Sequence, residues 1–166
     1  MITLVLGGAR SGKSAVAEAV LADAGGPVTY VATAVVGDDQ DFLARVAQHR
    51  IRRPIGWATI ECGVDLVEAL AGLEGAVLID SLGTWLARWP DFKVDTDSLL
   101  EGLDRCPGDV IIVSDEVGLG VHPSSEVGRM YRDALGALNQ SVAGLADTVL
   151  LVVAGQVLTL KAWADE

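Results

Sequence analysis

Eight consecutive residues, Gly7-Gly8-Ala9-Arg10-Ser11-Gly12-Lys13-Ser14, satisfy the phosphate-loop pattern G-x-x-x-x-G-K-[ST] at every required position. Each residue type has a task in that pattern. Gly7 and Gly12 permit backbone angles that turn successive N–H groups toward a phosphate. Lys13 brings a mobile positive charge to the β and γ oxygens of a purine nucleoside triphosphate, and Ser14 offers a hydroxyl to magnesium. The helix that follows aims its N-terminus at the anion. The loop lies between an apolar run, Ile2–Leu6, and a helical pattern, Lys13–Ala24, which is the context the mechanism needs.

Three further groups have the chemistry to complement such a loop. Asp80 ends the apolar run Val77-Leu78-Ile79, so it either holds the metal through water or caps a helix starting at Ser81. Val113-Ser114-Asp115-Glu116 is a second strand end of this kind, whose acids bind metal, position substrate or face solvent. The third group is basic. Arg45, Arg50, Arg52 and Arg53 fall within ten residues, and Asp41, Arg45 and His49 share a helix face at a spacing of four. A neutral imidazole is a competent nucleophile toward phosphorus, and guanidinium groups neutralise the phosphate under attack. The same residues also suit the end of a helix from the dipole alone, which leaves both roles open for His49. His122 reads as a solvated loop residue.

The elements that must position these groups alternate. Strands are expected at Ile2–Leu6, Val28–Ala32, Ala76–Ile79, Val110–Val113 and Thr148–Val153, with weaker candidates at Trp57–Ile60 and Gln156–Leu160. Most are apolar at consecutive positions, the pattern of strands covered on both faces. Helices are expected at Lys13–Ala24, Asp38–Arg52, Val64–Leu73, Thr96–Arg105 and Ser124–Ala146. In the last of these Val127, Met130, Tyr131, Ala134, Leu135, Leu138, Val142 and Leu145 recur at steps of three and four, with Ser124 or Ser125 as cap. The fold class is therefore α/β: one domain over residues 1–166, a mainly parallel sheet with helices on both faces. The stretch Trp89–Thr96 reads as an exposed loop.

Composition narrows the partners. A net charge of −11, from 12 basic and 23 acidic residues, disfavours duplex nucleic acid and an anionic membrane surface. Cys62 and Cys106 show no metal-ligand spacing and read as reduced thiols of a cytoplasmic protein. Ile2–Leu6 is too short to span a bilayer, and no signal peptide is evident. A phosphate loop does not identify the acceptor, since ATPases, GTPases and small kinases share it. A one-activity transferase and a non-catalytic nucleotide-binding module stay open on motifs alone.

The ordered set of motifs is more specific. GGARSGKS at 7–14, VTYVATA at 28–34, RVAQHRIRRPIGWATIE at 45–61, VLIDSLGTWL at 77–86, SDEVGLGVHP at 114–123 and MYRDALGALNQSVAGLADTVLLVVAG at 130–155 together resemble the bifunctional adenosylcobinamide kinase/adenosylcobinamide-phosphate guanylyltransferases of cobalamin biosynthesis. The resemblance covers nearly the whole chain. It implies a RecA-like P-loop fold and a homotrimer. It implies phosphoryl transfer from ATP or GTP to adenosylcobinamide, then GMP transfer from GTP to adenosylcobinamide-phosphate, with Mg2+ as cofactor. By the same match His49 carries the GMP covalently and Lys13 assists. Gly7, Gly8, Ala9, Arg10, Ser11, Gly12, Lys13, Ser14, Ala32, Thr33, Ala34, Arg50, Ile51, Arg52, Arg53, Glu61 and Asp80 contact nucleotide, and Ser14 and Asp80 hold the metal. The family often has Asn where Asp115 stands and a hydrophobic residue at His122. Trp85, Trp89, Tyr131 and Arg132 are the candidates for a corrinoid surface.

Overall fold

The computed structural model describes residues 1–22, 25–34 and 56–162. Seven strands form one sheet: β1 (Ile2–Gly7), β2 (Val28–Ala32), β3 (Ala58–Glu61), β4 (Ala76–Asp80), β5 (Val110–Asp115), β6 (Thr148–Val153) and β7 (Gln156–Lys161). Their spatial order is β3-β2-β4-β5-β1-β6-β7. All neighbouring pairs are parallel except β6 and β7, which form an antiparallel hairpin. The helices are α1 (Lys13–Ala22), α2 (Leu66–Leu70), α3 (Leu82–Leu86), α4 (Thr96–Asp104) and α5 (Glu126–Leu145).

The apolar runs become central strands because both faces of the sheet are covered. On one face Val5, Tyr30, Leu78, Ile111 and Val113 pack with Ala17 and Leu21 of α1. On the other Leu4, Leu6, Ile79, Val110 and Ile112 pack with Leu66, Leu82, Trp85, Leu99, Leu135 and Leu138 from α2 to α5. Residues i and i+1 of one strand thus enter different cores, and a continuous apolar run satisfies both. Ile112 is fully buried at the centre of this arrangement. Ile112→Ala is expected to cost about 2–5 kcal/mol, read as a lower midpoint of urea unfolding at unchanged slope. A cost under about 0.5 kcal/mol, the range of surface substitutions, would remove Ile112 from the core.

Four differences from the sequence expectations have physical reasons. Strand β7 is exposed at every residue, with Leu158 57% and Leu160 55% accessible, so its apolar content does not reflect two covered faces. In α5 only Leu135, Leu138, Asn139 and Val142 are buried. Val127 and Met130 stay exposed, although they belong to the same apolar stripe. The stretch after Trp89 is only partly a solvated loop: Phe92 and Val94 pack against the larger core, and the Phe92 ring meets Tyr131 edge-on at 5.4 Å. Trp85 is 2% exposed and its indole N–H donates to the Val64 carbonyl at 3.1 Å, which excludes it from any corrinoid surface. The helix expected at 38–52 lies outside the described residues. Among the described residues, no helix is long and apolar enough to cross a membrane.

Candidate active site

The parallel strands deliver their carboxyl ends to one edge, where open α/β sheets bind ligands. Across that edge the register pairs Glu61 with Ala32, Ala32 with Asp80, and Gly7 with Asp115. Gly7 also pairs with Val152 of β6. Residues far apart in sequence therefore sit side by side around the phosphate loop.

The loop starts where β1 ends. Gly7 has no space for a side chain: a Cβ would overlap Ser11 Oγ and approach the Val152 carbonyl. Arg10 and Gly12 have positive φ, 57° and 97°, and alternation of backbone handedness builds a concave nest of N–H groups. The Ser11 N–H donates to the Gly8 carbonyl at 3.2 Å, and the Gly155 N–H donates to the Ser11 carbonyl at 2.8 Å. The β6–β7 turn thereby braces the loop from outside. Gly8 is half-buried, Ala9 and Arg10 are exposed, and Ser14 is half-buried at the first turn of α1.

Lys13 Nζ lies 2.7 Å from Asp115 Oδ1 and donates to the Gly8 carbonyl at 3.3 Å. The lysine is thus folded over the loop, where a phosphate oxygen would replace the Gly8 carbonyl as its acceptor. Asp115 is held by its own backbone as well, because Asn139 Nδ2 of α5 donates to its carbonyl at 3.1 Å. Asn139 in turn accepts from the Ser114 hydroxyl at 2.6 Å. A polar residue on the buried face of a helix was the available signal for Asn139, and sequence reading missed it.

Asp80 does not cap the helix behind it. Ser81 does, in a reciprocal capping box with Thr84. Asp80 Oδ2 accepts from the Tyr30 hydroxyl at 2.8 Å, another contact the sequence reading missed, although a tyrosine in an apolar strand marked it. Thr33 is fully buried, and its hydroxyl bonds with the Ser81 carbonyl at 2.7 Å and Thr84 Oγ1 at 2.6 Å, while it accepts from the Ser81 N–H at 2.8 Å. Its side chain therefore builds the turn after β4, while the Thr33 N–H donates to the Asp80 carbonyl at 3.2 Å and the Ala32 carbonyl accepts from the Cys62 N–H at 2.9 Å. Glu61 is exposed at the end of β3. His49, Arg50, Ile51, Arg52 and Arg53 lie outside the described residues.

On the far side of Asp115, Tyr131 and Gly83 close the site. A Cβ on Gly83 would sit 2.8 Å from both Asp115 Oδ2 and Tyr131 Oη, so the two oxygens converge over the bare Gly83 backbone. Burial, reinforced by the Asp115 charge, pushes the Tyr131 phenol up to about 12. His122 is exposed as expected, with Nδ1 2.8 Å from Arg132 Nη1. Cys62 and Cys106 are free thiols, both pushed up chiefly by burial.

The sequence profile of the family described as cobinamide kinase / cobinamide phosphate guanyltransferase matches residues 3–160. The chain belongs to this family. It is 41% identical over 170 residues to the bifunctional adenosylcobalamin biosynthesis protein CobP of Pseudomonas aeruginosa, covering 97% of this chain and 98% of that one. It is 35% identical over 183 residues to the corresponding CobU protein of Salmonella typhimurium, covering 97% and 100%. Among solved structures it resembles PH0250 of Pyrococcus horikoshii, with TM-score 0.60 and 9% identity over 99% of this chain and 87% of the other. It also resembles an ATPase of a type III secretion system, with TM-score 0.56 and 10% identity over 90% and 51%. These distant likenesses speak to the fold, a RecA-like P-loop α/β sheet. The family assignment agrees with the loop and with the sequence order of the motifs.

Proposed function

We propose that this chain phosphorylates adenosylcobinamide with ATP or GTP and then transfers GMP from GTP to adenosylcobinamide-phosphate through a guanylylated His49. What supports the reading is the phosphate loop at the carboxyl edge of the sheet, in a chain that the family profile spans from residue 3 to 160. In the proposal Gly7 to Ser14 wrap the triphosphate, Lys13 neutralises its β and γ oxygens, and Arg50, Arg52 and Arg53 neutralise the α-phosphate and the departing pyrophosphate. Ile51 and Glu61 complete the nucleotide surface with the backbone of Ala32, Thr33 and Ala34.

The residues present fit Mg2+. Ser14 is half-buried at the first turn of α1, and Asp80 ends β4, separated from β1 by β5. No cluster of three or more acidic, histidine or cysteine ligands exists among the described residues, which suits a cation that keeps most of its waters and takes the rest of its shell from substrate phosphates. When bound, Mg2+ neutralises charge on the phosphate oxygens. A homotrimer belongs to the same proposal, and the uncovered apolar side chains of β7 support it.

Incubation with Mg2+ and GTP labelled at the α-phosphorus, followed by denaturation, is expected to leave an acid-labile label on the protein. Adenosylcobinamide-phosphate then discharges it to adenosylcobinamide-GDP. A native protein that takes up no label, while still phosphorylating adenosylcobinamide, would reduce the proposal to its kinase half.

A further inference from the structure

We propose that Arg88 holds the phosphate of adenosylcobinamide-phosphate while that phosphate receives GMP. The inference rests on the function just proposed and adds a binding residue for the second acceptor.

Arg88 follows α3 as a half-buried guanidinium that forms no ion pair with any described residue, in a chain of 23 acids and 12 bases. Arg105 and Arg132, by contrast, each meet a carboxylate at 2.8 Å. The Arg88 Nε is sealed from solvent and has no hydrogen-bond partner, and the indole N–H of the adjoining Trp89 is in the same condition. Buried donors without acceptors are rare and costly, so two in succession mark a place where an acceptor arrives from outside the chain. The position of the guanidinium is fixed by distance. Its Nη1 donates to the Cys62 carbonyl at 3.4 Å, a long contact that engages little of the fork. A Cβ on Gly63 would sit 3.1 Å from the same nitrogen, so the guanidinium lies against the backbone that follows β3. Its charge is felt there, since it opposes the effect of burial on the Cys62 thiol.

This place identifies the anion. β3 stands at one end of the order β3-β2-β4-β5-β1-β6-β7, and the phosphate loop follows β1. Four strand spacings put the end of β3 about 19 Å from the start of the loop along the sheet. The β and γ oxygens served by Lys13 are therefore out of reach of Arg88. The segment that carries His49 leaves the sheet after β2, whose Ala32 pairs with Glu61 at the end of β3. Arg88 thus stands on the GMP-transfer side of the edge, where the acceptor brings an anion of its own. An acceptor phosphate that approaches a guanylyl group brings two anions together, and a cation offsets their repulsion. A guanidinium suits the task because its fork matches two phosphate oxygens at once. In the step, one acceptor oxygen bonds to the α-phosphorus, the bond from that phosphorus to the His49 ring nitrogen breaks, and its electron pair returns to the imidazole. Arg88 stays on the other acceptor oxygens and exchanges no proton.

The two acceptors differ only by the phosphate, which gives the test its control. Adenosylcobinamide-phosphate and adenosylcobinamide are titrated calorimetrically into the parent, Arg88→Ala and Arg88→Lys, and each protein is labelled with α-labelled GTP. The alanine variant is expected to bind adenosylcobinamide-phosphate about 10–100-fold more weakly, the range for a lost hydrogen bond to a charged group. Its affinity for adenosylcobinamide should change by less than about threefold, the scale of a side chain that makes no contact. The lysine variant keeps the charge and loses the fork, so its loss should be intermediate. Equal weakening toward both acceptors would place Arg88 against the corrinoid body, and no weakening toward either would leave it without a substrate contact. Both results overturn the proposal. So does a GMP label reduced more than about tenfold in Arg88→Ala, which would assign the residue to the nucleotide. A parent protein that binds neither acceptor would refute the functional reading itself, a different failure that takes this one with it.

Discussion

Replacing His49 by alanine is expected to abolish the covalent GMP adduct while leaving phosphorylation of adenosylcobinamide within a few-fold of the parent. The reasoning is chemical. GMP transfer through the protein is two in-line displacements at the α-phosphorus, the first expelling pyrophosphate and the second transferring GMP to the acceptor phosphate. Only a nucleophile can support the first, and alanine has none. Residual labelling should lie at background, a loss of at least about 10³-fold on the scale of covalent catalysis. The kinase step takes place at the γ-phosphorus, where the machinery assigned is Lys13 and the ends of β4 and β5. Because the imidazole attacks as the neutral base, labelling of the parent should weaken as pH falls through the ordinary imidazole range, near ~6.5. Intact protein mass after GTP treatment reads the adduct directly. An adduct of undiminished yield in His49→Ala would move the nucleophile elsewhere, with the exposed His122 as the next candidate.

Lys13→Ala is expected to reduce both activities together. Removing one preorganised positive donor from a phosphoryl-transfer site costs about 10²–10³-fold in rate. In this protein the loss should lie at the upper end, for a reason particular to its structure. Lys13 is the partner of Asp115 at 2.7 Å, so truncation removes a cation from the phosphates and also leaves an unpaired carboxylate beside them. The double variant Lys13→Ala/Asp115→Asn should therefore bind nucleotide more tightly than Lys13→Ala alone. Calorimetric titration with MgGTP and a non-hydrolysable ATP analogue measures this. If the two variants bind equally, the Asp115 charge does not reach the nucleotide.

Much of this site was legible in the sequence. The loop from Gly7 to Ser14 is contiguous, and its function depends on backbone angles that glycine alone permits at crowded points, so residue identity and spacing suffice. The strands were legible because both faces are buried, and the boundaries of β2 and β6 agree with the apolar runs. Other features were not legible. Asp80 and Asp115 both end apolar strands, and no local pattern distinguishes an acid held by a tyrosine hydroxyl from one paired with a lysine. The Thr33 hydroxyl completes the Ser81 turn, a partner 48 residues away that no local pattern announces. Trp85 looked like a ligand surface, but Val64 takes its N–H inside the core.

By itself, the amino-acid sequence settled the phosphate loop, the alternation of strand and helix, and the family. These follow from neighbours along the chain, whose hydrogen bonds and periodicity are local. Tertiary structure alone decided that position 13 meets position 115, that 30 meets 80, and that 139 secures the end of β5. Those meetings depend on strand order, in which β5 inserts between β1 and β4. Every central strand here is apolar enough to occupy any inner place, so the order is set by how the crossovers and both cores pack, not by any one segment.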